Sequence, residues 1–285
     1  MKTQHIASVI DSYIARSEAR YAKPSLKKGL LQILSESLQP GGLNLVGGRP
    51  GMGCTTLVLS MALELAKAGK CILFYGHPHH DIEARIMYYF GRRDTLSSVL
   101  KELQFHYAHL FYTDDFQSLK SNLCEDIITL KPDYIFIDCI QDIPVDNRLV
   151  CNGMTGEEYI CRELRDLAFR MEVPITAVAR LNRNPEKRNG IDGKVPQLGD
   201  FRGGDLAYYA SCIYFPYRPE YYHIYYDERT GEDIRDYMYV HNRNCNRNWA
   251  TAPLKFDVHT FSVYDPDQIK WINPEEEEDT SDLPF

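Results

Sequence analysis

Short apolar runs and amphipathic stretches alternate along most of the chain. Leu43–Gly47 predicts a strand, Thr55–Ala68 a helix closed by Gly69, and Cys71–Tyr75 a second strand. A glycine in that place ends helices because it enters the left-handed region at no steric cost. The series continues with a helix near Asp81–Phe90, a helix over Phe116–Leu130, a buried strand over Asp133–Ile137, a helix over Glu157–Met171 and a strand over Pro174–Ala179. Strands separated by helices at this spacing predict an α/β fold, a mostly parallel sheet covered by helices on both faces. Beyond Ser211 the pattern changes to CIYFPY, YYHIYY, YMYVHN and APLKFDV, read as C-terminal antiparallel strands that extend the sheet. Ahead of this body, Ile6, Val9, Ile10, Tyr13 and Ile14 recur at helical spacing and predict one amphipathic helix. Three regions follow: a linker-type helix in 1–26, a core domain in 27–265 and an acidic disordered tail in 266–285.

Composition adds limits. No apolar run approaches the roughly 18 residues of a membrane span, and the N-terminal residues lack a signal-peptide core, so a cytoplasmic protein without a membrane partner is expected. The cysteines at 54, 71, 124, 139, 151, 161, 212 and 245 form no CxxC pair, which suggests neither a disulfide framework nor a zinc site. The net charge is −8, but Glu275–Glu278, Asp279 and Asp282 carry six of the negatives, leaving −2 elsewhere. A nucleic-acid partner is therefore compatible with the acidic balance, because local basic segments decide such binding.

The strongest local motif is Gly48-Arg49-Pro50-Gly51-Met52-Gly53-Cys54-Thr55, followed by Thr56, between a predicted strand and a predicted helix. It matches GxxxxGK(S/T) everywhere except the lysine. Its glycines let backbone N–H groups converge on phosphate oxygens at a helix N-terminus, and Thr55 supplies the hydroxyl expected to meet magnesium. Cys54 stands where the lysine would offset phosphate charge. Two readings stay open: a loop that binds nucleotide weakly or without turnover, and a vestigial loop in which Cys54 fills space. If the helix terminus lowered the thiol's pKa, the thiolate would repel phosphates.

The segment from Ser37 to Ala66 resembles the entry to the motor domain of DnaB-type replicative DNA helicases, a RecA-like P-loop fold, and the likeness continues in order down the chain. PDYIFIDCIQDI is similar to the family's Walker B strand, which implies that Asp138 holds magnesium through water. VPITAVARLNRNPEKR, PQLGDFRGGDL, YFPYRPEYY and YVHNRNCNRN resemble the later motifs, among them the loop that faces DNA and the closing strands. The departures cluster on hydrolysis. The lysine becomes Cys54. The catalytic glutamate has no counterpart in Tyr75-Gly76-His77-Pro78-His79-His80, and the γ-phosphate-sensing glutamine becomes Arg180. In the neighbour-facing Lys-x-Arg the lysine becomes His241, while Arg243 keeps the arginine-finger position. The acidic run after the DNA loop becomes residues 208–212, Tyr-Tyr-Ala-Ser-Cys. The resemblance thus implies ATP or another nucleotide with magnesium as cofactor, bound weakly or lost. It also implies single-stranded DNA as partner and a homo-oligomeric hexameric ring, or a mixed ring with an intact helicase.

Three functions follow from different classes. One is a hydrolysis-deficient helicase relative acting as a ring or accessory subunit. Another is an active helicase with compensating groups, such as Arg180 in place of the lysine. The third is a scaffold without nucleotide. Arg183, Lys187, Arg188, Lys194 and Arg202 are candidate DNA contacts against a plain solvated basic loop. His77, His79, His80 and Asp81 read more readily as loop residues than as a metal cluster, and the tyrosines of 208–226 as sheet-face packing rather than base-stacking platforms. The ending Asp282-Leu283-Pro284-Phe285 resembles the acidic tip of bacterial single-stranded DNA-binding proteins, which implies partners that recognise such tips. Phe285 would anchor in an apolar pocket, its carboxylate would make a charge-assisted contact, and the preceding acids would steer approach. A tail peptide titrated against a tip-binding protein is expected to bind in a salt-sensitive way. Equal binding by the peptide lacking Phe285 would reduce the tail to a solubilising end.

Overall fold

In a computed structural model the residues described are 38, 40–90, 103–110, 115–146, 148, 150, 153–244 and 249–266. The predicted N-terminal helix and the tail beyond 266 lie outside them. The elements in order are β1 (Leu43–Gly48), α1 (Cys54–Lys67), β2 (Ile72–Gly76), α2 (Ile82–Phe90), β3 (Phe105–His109) and α3 (Phe116–Leu130). Then come β4 (Tyr134–Asp138), α4 (Gly156–Met171), β5 (Ile175–Arg180), β6 (Cys212–Tyr217), β7 (Tyr237–Asn244), β8 (Trp249–Asp257) and β9 (Ser262–Tyr264). They form one nine-stranded sheet in the order β3-β2-β4-β5-β1-β6-β7-β8-β9. Pairing is parallel from β3 to β6 and antiparallel from β6 to β9, as the sequence pattern predicts.

The core lies on both faces of this sheet, and strand alternation allots side chains to each. Leu43, Leu45, Ile135, Ile137, Ile175 and Ala177 point to the face covered by α3 and α4. Val46, Phe74, Phe136, Val178 and Tyr214 point to the face covered by α1. The period of two explains why these strands read as unbroken apolar runs: both faces are buried. Helix α1 is buried almost all round, and β9 is tied to it by the Val263 N–H donating to Ser60 Oγ at 3.0 Å. Gly69 closes the helix at φ 79°, with its N–H on the Ala66 carbonyl at 3.0 Å. Helix α4 starts in a capping box between Thr155 and Glu158.

Two expectations are corrected. YYHIYY is not a strand: Pro219–Tyr222 is a 3₁₀ turn, His223 is left-handed at φ 60°, and Tyr226 makes only an isolated bridge with Asp233. A proline at the start and a positive φ four residues later remove the extended backbone that aromatic composition alone suggested. The tyrosines also divide. Tyr214 and Tyr217 are buried in the sheet, whereas Tyr208, Tyr221, Tyr225 and Tyr226 are exposed. Strand β3 has no counterpart in the sequence reading, because this edge strand is half-buried throughout and shows no alternation.

Candidate functional site

Parallel pairing sets the carboxyl ends of neighbouring strands level. Gly48 at the end of β1 pairs with Arg180 at the end of β5, and Gly76 of β2 pairs with Asp138 of β4. Ligands in open parallel sheets bind outside such ends. Here the edge opens into a cavity of about 520 Å³, lined by the phosphate loop and by Thr55, Thr56, His80, Arg85, Asp138, Cys139, Arg180 and Arg218. Of the expected cofactor-binding residues Gly48, Arg49, Pro50, Gly51, Gly53, Cys54, Thr55 and Thr56 line it, whereas Met52 is buried beneath the loop. The turn depends on glycine. Gly51 and Gly53 have φ of 87° and 85°, and a Cβ on Gly53 would lie 2.6 Å from Met238 and 2.7 Å from Phe256.

Cys54 is 8% exposed, and burial, aided by the charge of Asp138, pushes its thiol far up from the ordinary range. The feared thiolate therefore does not form. Its sulfur packs over Gly48, where a Cβ would meet it at 2.2 Å, so the side chain turns back against the loop and supplies no charge to the cavity. Asp138, 1% exposed, is the one carboxylate among the lining residues, and no glutamate reaches the place of a water-activating base. The 3₁₀ turn Pro78–His80 instead sets His80 Nδ1 3.1 Å from Asp138 Oδ2. This contact holds the His80 imidazole above its ordinary pKa, against the lowering effect of burial. Among the described residues no group of three His, Cys, Asp or Glu side chains is arranged to hold a metal ion.

Four guanidinium groups line the cavity, and three have carboxylate partners. Arg49 pairs with Glu186 at 2.8 Å, Arg180 with Asp142 at 2.7 Å and Arg218 with Glu220 at 3.5 Å. Arg180 thus lines the cavity as a member of an ion pair. Arg85 differs. Its Nε donates to the His80 carbonyl at 2.7 Å and its Nη1 to Thr56 Oγ1 at 3.2 Å, and it lies over the Phe261 ring at 4.7 Å. Burial lowers its pKa, and it makes no ion pair among the described residues. The sequence gives no signal for Arg85 beyond a charged position on an amphipathic helix.

The residues expected to hold magnesium, Thr55 and Asp138, line the same cavity. His80 Nδ1 lies beside Asp138 Oδ2, which is buried without a hydrogen-bond partner among the described residues, while Arg85 takes the neighbouring Thr56 hydroxyl.

The basic segment is divided too. Arg188 is paired with the buried Asp200 and donates to the Val195 carbonyl at 3.1 Å, and Lys194 donates to the Glu186 carbonyl at 2.7 Å. These two hold the segment's own shape. Arg183, Lys187 and Arg202 are exposed and make no side-chain ion pair among the described residues. Both ends of the segment are fastened to the cavity edge: Arg49 Nη1 donates to the Leu181 carbonyl at 3.0 Å, and Gln141 Nε2 to the Arg202 carbonyl at 3.1 Å. His241 and Arg243 stand on β7, off the cavity.

A family model, described as DnaB-like helicase C terminal domain, matches residues 92–263, well over half of the chain. The chain belongs to the DnaB-like helicase C-terminal domain family. The match begins beyond the phosphate loop, but relatives align with nearly the whole chain. A probable replicative DNA helicase of Trieres chinensis is 24% identical, covering 93% of this chain and 64% of the relative. The replicative DNA helicase DnaB of Buchnera aphidicola subsp. Baizongia pistaciae is 28% identical, covering 90% and 60%. The chain thus spans less than two thirds of the length of these relatives. Among solved structures, the ATPase domain of G40P superposes with a TM-score of 0.74 at 17% identity, covering 93% of this chain and 99% of that one. At that identity the likeness shows the RecA-like α/β fold alone.

Within this DnaB-like domain His241 has a pH signature. Burial, then the charge of Arg243, lowers its pKa from 6.5 to about 4, and Nδ1 shares a 2.9 Å hydrogen bond with Thr251 Oγ1. The ring is neutral near pH 7, so it does not replace a lysine's charge. As pH falls from about 6.5 towards 4 the unfolded chain takes up this proton before the folded one, so stability present above 6.5 is progressively lost. His241→Asn is expected to flatten the fall in melting temperature over that window. An unchanged slope would contradict the assignment.

Proposed function

We propose that this DnaB-like domain binds nucleotide at the phosphate loop and single-stranded DNA through its basic segment, but hydrolyses ATP poorly or not at all. One observation carries the reading: the loop keeps its phosphate-binding backbone, yet its lysine position holds a buried, uncharged thiol and the cavity lacks a second carboxylate. Charge compensation and water activation are each worth orders of magnitude in phosphoryl transfer, so losing both leaves binding without turnover. The ties from Arg49 and Gln141 to the basic segment give nucleotide occupancy a physical route to Arg183, Lys187 and Arg202, the exposed candidates for backbone contact. In this reading the protein acts in DNA replication or mobile-element maintenance, as a ring or accessory subunit with copies of itself or of an intact helicase. The compensated-helicase alternative through Arg180 loses support from the Asp142 pair.

Steady-state ATPase measurement with and without single-stranded DNA is expected to stay below about 1 s⁻¹, the low end of ordinary enzymes. DNA-stimulated turnover at or above that rate would refute the reading. Cys54→Lys should raise nucleotide affinity more than turnover, since the base is still missing. Assembly is expected to need the stripe of Ile6, Val9, Ile10, Tyr13 and Ile14, docked on a neighbouring subunit in a heterologous contact. Light scattering should show the assembled mass fall when residues 1–22 are deleted, with the domain still folded. A full-length monomer in the presence of DNA and nucleotide would remove the ring from the proposal.

A further inference from the structure

We infer that the acidic segment 275–282 of this chain docks on the chain's own basic segment and competes there with single-stranded DNA. The inference rests on the DNA-binding reading above and deepens it by assigning a regulator to the same surface. From Arg180 to Arg202 six basic residues stand against three acidic ones. Arg188 is paired with the buried Asp200, and Lys194 is turned to the Glu186 carbonyl, so these two serve the segment's shape. Arg183, Lys187 and Arg202 remain outward, exposed and without a side-chain ion pair among the described residues. Arg148 and Arg235, also exposed, are by contrast taken by Asp146 and Asp233 two residues away. Three unclaimed cations on one segment form a surface suited to an extended polyanion.

A matching polyanion is present in the same chain. Residues 267–285 contain seven acids against the single Lys270, and six of those acids fall within 275–282. Reach allows the contact inside one molecule. Phe261, just before β9, and Arg180, at the end of β5, line one cavity of about 520 Å³. Arg183 follows Arg180 by three residues, and Pro266 follows Phe261 by five. The stretch from Pro266 to Glu275 spans up to about 30 Å when extended, well beyond the width of such a cavity. A ligand tethered in this way acts at an effective concentration on the order of millimolar. Screened surface pairs are individually weak, so the segment holds the site against dilute DNA yet yields to a strand that brings more phosphates.

The test uses the full chain and has two readouts. Zero-length carbodiimide coupling, read by mass spectrometry, is expected to join Lys187 to a carboxylate of 275–282 within one chain, and a thymidine oligonucleotide should suppress that product. Fluorescence anisotropy then measures binding of the same oligonucleotide. Replacing the six acids together, Glu275→Gln, Glu276→Gln, Glu277→Gln, Glu278→Gln, Asp279→Asn and Asp282→Asn, should tighten it about tenfold at low salt, with the gain fading as salt rises. A gain without the Lys187 coupling would trace to long-range repulsion and overturn the docking. Coupling found only between two chains would overturn docking within one. A neutralised chain that binds DNA no tighter than the natural one overturns the competition and leaves DNA binding standing. DNA binding by neither chain overturns both.

Discussion

Gly48, Gly76, Asp138 and Arg180 stand side by side because backbone hydrogen bonds between parallel strands fix them there. The register pairs Gly48 with Arg180 and Gly76 with Asp138. A slip of one residue in either ladder would turn the Asp138 and Arg180 side chains to the other face of the sheet and expose their apolar neighbours. The register is held by burial on both faces: Val46, Phe74, Phe136 and Val178 meet α1, while Leu45, Ile137 and Ala177 meet the opposite helices. The cavity is thus a consequence of the core. Its charged residues are placed by the ends of strands that hydrophobic packing has already positioned.

At that fixed edge the chain has rearranged charge rather than simply lost it. The lysine's position holds a thiol that burial keeps neutral, while a guanidinium arrives from α2 and a histidine from the turn after β2. Arg49, Arg180 and Arg218 are drawn into pairs with Glu186, Asp142 and Glu220, which fasten loops and leave less of their charge for a ligand. In the proposed reading such a site holds a phosphate without turning it over, because the lysine's charge is gone and no second carboxylate lines the cavity.

The sheet and its helices were legible in the sequence because buried parallel strands leave continuous apolar runs and their helices leave a 3.6-residue period. Strand β3 was not, since an edge strand half open to solvent, reading Phe-His-Tyr-Ala-His, has no such contrast. YYHIYY misled by composition, where Pro219 and the left-handed His223 decided the backbone. The phosphate loop, Asp138 and Arg180 could be located by motif, because each follows a recognisable strand. Arg85 and His80 could not. Their roles depend on contacts between residues 29 and 58 positions apart in the chain, and no local pattern encodes those.

This difference bears on how much weight the loop itself carries. A Cβ on Gly53 would strike Met238 and Phe256, and one on Gly47 would lie 2.7 and 2.8 Å from the Phe215 and Phe201 rings. Packing, and at Gly53 the left-handed backbone, thus favour glycine at these places, and the same residues keep the loop's backbone open to a phosphate. At Arg85 the guanidinium itself lies 4.7 Å over the Phe261 ring, donates to a carbonyl and a hydroxyl, and feels the charges of Asp138 and Asp81. The glycines can be explained by the fold.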